Sequence, residues 1–145
     1  MRIAIKYGLA ITLVIIFWVI ITHFVFPLAP NSKLNILAPL LFNAAAILAI
    51  YLGIKARKAQ AEMNFKAGLQ TGLSISLVYA ITASLFFAVL LLIVGPSIMA
   101  NEPMADSYSL GQLALRAFIG MLFGSLILGL VYSTIIAFFL ARRYQ

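Results

Sequence analysis

The sequence predicts an all-α integral membrane protein, a four-helix bundle, and three observations predict it. First, hydrophobic residues make up 65% of the chain and charged residues 9%, against about 45–50% and about 25% in soluble domains. Such a chain has too few polar groups to cover its surface in water, so its expected solvent is lipid. Second, the charges are separated by long gaps. Uncharged runs of 26 residues between Lys6 and Lys33, 21 between Lys33 and Lys55, 35 between Lys66 and Glu102 and 25 between Arg116 and Arg142 follow one another. Each exceeds the about 20 residues that cross about 30 Å of hydrocarbon at 1.5 Å per residue. Third, the basic residues are distributed unevenly between the two sides of such a bundle, as set out below. In hydrocarbon every backbone N–H and C=O must be paired within its own segment, so each run is expected to be a helix. The length of 145 residues is that of one domain, 1–145.

The first span is expected at Gly8–Phe26, and Pro27 and Pro30 stop it because proline has no N–H to donate. Its apolar core is longer than the about 7–15 residues of a cleaved signal peptide, so a retained span is expected. The second span is Ile36–Ile54. Asn31, Ser32 and Asn35 can cap it, and Pro39 lies near its start, where a missing N–H costs little. The third span, Ala67–Val94, follows the capping residue Asn64 and ends at Gly95-Pro96. The fourth, Leu113–Leu140, is opened by Ser109 and Gln112 at capping-box spacing. The third and fourth are longer than a bilayer requires and must tilt or project.

Orientation follows from the basic residues. Arg2, Lys6, Lys55, Arg57, Lys58, Lys66, Arg142 and Arg143 fall on one side, and only Lys33 and Arg116 on the other, beside Glu102 and Asp106. The positive-inside rule then places both termini and the 55–66 loop in the cytoplasm, with the 27–35 and 95–112 loops outside. Tyr7, Tyr51 and Tyr144 fall near the inner interface and Tyr108 near the outer, as aromatic belts do, while Trp18 falls mid-span and is lipid-facing or packed. The net charge of +7 is therefore read as topology and attraction to anionic headgroups, not as a nucleic-acid surface. Lys6-Tyr7-Gly8-Leu9 is echoed in Lys66-Ala67-Gly68-Leu69, which hints at two similar hairpins in parallel orientation.

Lipid removes the hydrophobic drive between helices, so close contact must hold them together. The third span carries Gly68, Gly72, Ser76, Ala80, Ser84 and Ala88, one small residue every four positions. The fourth carries Ser125, Gly129, Ser133, Ala137 and Ala141, with a second pair at Gly120 and Gly124, and the second offers Ala45, Ala49 and Gly53. These stripes should face other helices, in the same chain, another copy or a different subunit.

Ionisable groups inside a bilayer are expensive and mark function. No Asp, Glu or Lys falls inside the expected spans, and Arg116 lies in the first outer turn of the fourth, within reach of Glu102 or Asp106. A proton- or ion-coupled pump normally needs a buried acid, so that class is disfavoured. With no cysteine in the chain there is neither a disulfide nor a catalytic thiol. His23 alone makes a poor metal site. Asn43, in the outer half of the second span, needs a partner across helices, and with His23 it is a candidate for lining a small polar pocket. Gln70, Thr71, Ser74, Ser76, Tyr79, Thr82 and Ser84 make the third span the most polar, although serine and threonine can return their hydroxyls to the helix backbone. Glu102 and Asp106 are read as a solvated pair. No nucleophile–base pair, P-loop or zinc-ligand spacing occurs, and neither metal nor cofactor is expected.

Gly53-Ile54-Lys55 followed by Asn64-Phe65-Lys66-Ala67-Gly68-Leu69 and Gly72 resembles a motif of an uncharacterised bacterial family of small four-span membrane proteins, a domain of unknown function. The resemblance implies a bacterial inner membrane and brings no activity or site residues. The residues themselves lead to the expectation of a non-enzymatic structural or accessory component. Such a protein works through helix–helix contacts with membrane lipids and with another copy or another membrane subunit. A small oligomeric transporter or channel, with its path along the third span, is the alternative.

Overall fold

The computed structural model describes residues 1–29, 31–96 and 107–142. Its helices are α1 (Arg2–Ile20), α2 (Leu37–Lys58), α3 (Phe65–Val94) and α4 (Leu110–Arg142). A π-helical turn, Ile21–Val25, prolongs α1, and a 3-10 turn, Lys33–Ile36, leads into α2. The described residues contain no strand, and all four segments are long and apolar enough to cross a membrane.

The helices run past the apolar stretches at the end where the basic residues gather. Here α1 takes in Arg2 and Lys6, α2 continues through Lys55, Arg57 and Lys58, α3 begins before Lys66, and α4 reaches Arg142. A charge ends an apolar run but not a helix. Lysine and arginine are good helix formers, and in the last turns of α2 and α4 they face the negative end of the helix dipole.

The caps predicted for α3 and α4 form, whereas α2 itself starts after Ile36 without a side-chain cap and Asn35 donates instead to the Ala29 carbonyl. The Asn64 side chain accepts from the Ala67 N–H at 2.8 Å. Ser109 and Gln112 make both bonds of a capping box, at 3.0 and 3.3 Å. Ser32 caps the 3-10 turn by accepting from the Leu34 N–H, and Pro39 falls in the first turn of α2. Gly95, with φ of +90°, stops α3 in a conformation that other residues rarely adopt.

Connections are antiparallel, and α3 is the centre of the bundle. It packs along α4 most extensively, then α1, then α2, while α2 also touches α1 and α4. The core is aliphatic and small: Ile11, Ile15, Ile50, Ile54 and Ile75 are fully buried among Ala46, Ala80, Ala83 and Ala137. The outward surface is apolar as well, with Phe17, Phe123, Phe139 and Ile93 all well exposed. Close approach to α3 depends on glycine. A Cβ on Gly8 of α1 would stand 2.7 Å from Val78 Cβ, and one on Gly53 of α2 would meet the end of Ile75.

Candidate functional site in the helix seams

The small residues of α3 and α4 meet in one antiparallel register. Gly68 lies opposite Ala137, whose Cβ would be 3.1 Å from an added Cβ. One turn along, Gly72 lies opposite Ser133, whose Cβ and Cα would be 2.6 and 3.2 Å away. One turn further the roles exchange, and Gly129 of α4 receives the Ser76 side chain. Four residues up α3 are matched by four residues down α4, so each glycine seats the serine or alanine of the other helix. Ala80, Ser84 and Ser125 are buried along the same seam side. On α2, Gly53 and Ala49 are buried and Ala45 is half-buried.

Gly120 and Gly124 do not join this seam. Both are exposed, and a Cβ on either would meet nothing within 4 Å among the described residues. The reason is angular: Gly124 and Ser125 are neighbours in sequence and so about 100° apart on a helix of 3.6 residues per turn.

Polar side chains join the remaining pairs of helices. Thr12 of α1 and Thr82 of α3 share a 2.6 Å hydrogen bond. The Tyr132 hydroxyl of α4 donates to Asn43 Oδ1 of α2 at 2.6 Å, and Asn43 Nδ2 donates to the Pro39 carbonyl at 2.7 Å. At the basic end, Lys58 Nζ of α2 donates to the Leu140 carbonyl of α4 at 2.9 Å. Such bonds are worth on average about 0.6 kcal/mol each between helices in lipid.

The hydroxyls of α3 mostly serve their own helix. Thr71, Ser74, Ser76 and Thr82 each donate to a carbonyl one turn back, at 2.8–2.9 Å. Ser84 and Ser133 differ: their Oγ atoms are buried without a hydrogen-bond partner among the described residues.

The structure does not bring His23 to Asn43. Asn43 is bonded to Tyr132 and Pro39, whereas His23 is exposed on the π-helical turn and no hydrogen bond joins the two. Trp18 is half-buried and, with Leu13, Val14, Phe17, Ile21 and Leu41, lines an apolar groove between α1 and α2. The Arg116 guanidinium lies 4.0 Å from the centre of the Tyr108 ring, a cation–π contact, while Glu102 and Asp106 lie outside the described residues. Among the described residues no three His, Cys, Asp or Glu side chains cluster as a metal site would need.

Sequence reasoning missed three of these contacts. Tyr132 looked like one more aromatic in an apolar run. Thr12 sits four residues after Gly8, a small-residue spacing on α1 that could have signalled its α3-facing side. Nothing in the sequence marked Lys58 as the partner of a carbonyl 82 residues later. Comparison of the chain with protein-family models, with curated proteins and with solved structures returns no match.

Proposed function

We propose that this chain is a non-enzymatic, multi-pass protein of a bacterial inner membrane. It acts as a structural or accessory component through helix–helix contact within the bilayer. Eight basic residues at one end against two at the other support cytoplasmic termini. Apolar side chains on both the inside and the outside of the bundle support a lipid surround.

One observation carries the reading. Gly120 and Gly124 lie one turn apart on the open side of α4, where none of the described residues stands against them. The glycines of the α3–α4 seam are each filled by a side chain from across the interface. A bare glycine pair of the same spacing offers a second helix the same close backbone approach, and that helix must come from another molecule. The alternative, a transport path along α3, has less support, because Thr71, Ser74, Ser76 and Thr82 are bonded to their own helix.

The chain has no cysteine, so single-cysteine cross-linking in native membranes is a clean test. Gly124→Cys is expected to form a cross-linked species, with a second copy or another membrane protein, above the level of Phe17→Cys on the outward face of α1. Equal, background-level cross-linking at both positions would remove the proposal.

A further inference from the structure

At the basic end a cleft of about 170 Å³ lies between the first turn of α1, the last turn of α2 and the early turns of α3. Ile3 and Ala4 close one side, and Arg57, Gln70, Thr71 and Ser74 supply its polar wall. Arg57 is half-buried, yet its guanidinium makes no hydrogen bond, ion pair or ring contact with any described residue. Charged groups withdrawn from water are normally paired. The acid within the described residues, Glu62, lines a different cleft with Lys58 and Asn64, so no carboxylate among the described residues answers Arg57 here.

We infer that this cleft binds the phosphate of an anionic, hydroxyl-bearing lipid headgroup. The guanidinium presents a planar fork of donors that fits two phosphate oxygens at once. Gln70 adds an amide with no other side-chain bond. Thr71 and Ser74 already donate to Ala67 and Gln70 carbonyls, so their oxygens are left as acceptors. An acceptor pair beside a phosphate fork suits a headgroup that carries free hydroxyls and does not suit a quaternary amine.

Depth agrees with a lipid. At 30 residues α3 is about 45 Å long, against about 30 Å of hydrocarbon. An upright α3 exceeds the hydrocarbon by about ten residues shared between its two ends, and a cleft walled by residues 67–74, next to Lys66, opens towards the headgroups at the basic end. Arg2, Lys6, Lys55 and Lys66 gather at the same end and raise the local concentration of anionic lipid. The inference needs a bilayer but is independent of any protein partner at Gly120 and Gly124.

The test is native mass spectrometry of the full chain in detergent, titrated with phosphatidylglycerol or phosphatidylcholine. Wild type is expected to retain phosphatidylglycerol preferentially. Arg57→Gln should weaken that retention about tenfold, the loss of one charge-assisted hydrogen bond. Lys55→Gln removes the same charge from an exposed side chain of the same helix end, over the Tyr51 ring, and should change it less than about twofold. Gln70→Ala, an exposed position that leaves the core intact, should weaken it in the same direction and by less. Equal losses for Arg57→Gln and Lys55→Gln would reduce the effect to diffuse charge and overturn the site. No preference over phosphatidylcholine in wild type would do the same. Displacement of phosphatidylglycerol by millimolar inorganic phosphate would assign the cleft to a free anion and overturn the lipid assignment.

Discussion

Along α4, two sets of small residues with the same four-residue spacing run one residue out of step. Ser125, Gly129, Ser133 and Ala137 are buried against α3, whereas Gly120 and Gly124 stand open. Composition does not separate them, since the open pair is if anything the smoother. What separates them is a mate. Gly68, Gly72 and Ser76 on α3 present holes and knobs at the pitch of the first set, and nothing among the described residues presents them to the second. Spacing permits close approach, and complementarity across the gap decides where it happens.

The contrast can be broken at its tight end first. Gly72→Leu forces a large side chain against the Ser133 backbone, and overpacking of this kind costs about 1–3 kcal/mol or more. Thermal unfolding in detergent is expected to show a large loss. The milder Gly72→Ala should lose less and should recover part of that loss when combined with Ser133→Gly, which vacates the facing volume. Failure of this pair to couple would mean that the two helices do not stand in the described register.

The polar bonds should rank next. Tyr132→Phe removes the donor to Asn43 and is expected to cost about 0.6 to 1.7 kcal/mol. A melting curve identical to wild type would show that the bond carries no net stability.

Ser133→Ala sharpens the comparison in the opposite sense. The Ser133 Oγ is buried and unpartnered, so its removal should be neutral or stabilising by up to about 1 kcal/mol. A clear destabilisation would indicate a partner for that hydroxyl, such as a buried water.

The smallest effect on the fold is expected at the open end. Gly120→Leu places its Cβ where no described residue stands within 4 Å and should change unfolding by less than about 0.5 kcal/mol. The same substitution should abolish cross-linking from Gly124→Cys, because its consequence lies outside the chain. A loss of stability equal to that of Gly72→Leu would erase the distinction between the two sets.

The four helices were legible in the sequence because apolar length and hydrogen-bond closure leave so few alternatives. Asn64, Gly95 and the Ser109–Gln112 pair could be read because capping is local: each signal lies within a few residues of its partner. The helix ends at Arg2, Lys58 and Phe65 were not, since a gap in charge marks hydrocarbon and not helix. The seam was half legible. Period four marked the stripes of α3 and α4, but the face that Gly120 and Gly124 present depends on where three other helices stand. Thr12 with Thr82, Asn43 with Tyr132 and Lys58 with Leu140 join residues far apart in sequence, and no local pattern pairs them. His23 and Asn43 appeared to belong together because both were polar and near one end. The wide turn at Ile21–Val25 instead leaves the imidazole on the surface.

That wide turn sets a rule for how this chain can change in length. In it the Phe26 amide reaches back to the Ile21 carbonyl at 2.7 Å and the Leu28 amide to the Thr22 carbonyl at 3.0 Å, so the loop holds residues that an ordinary turn would not. Deleting one residue between Ile21 and Val25 would tighten the coil back to regular pitch and leave everything before Ile20 in place. A deletion anywhere along α3 would instead swing each later side chain by about 100° and unseat the entire match with α4. Tolerance to shortening is thus concentrated at the close of the first helix, and intolerance in the third.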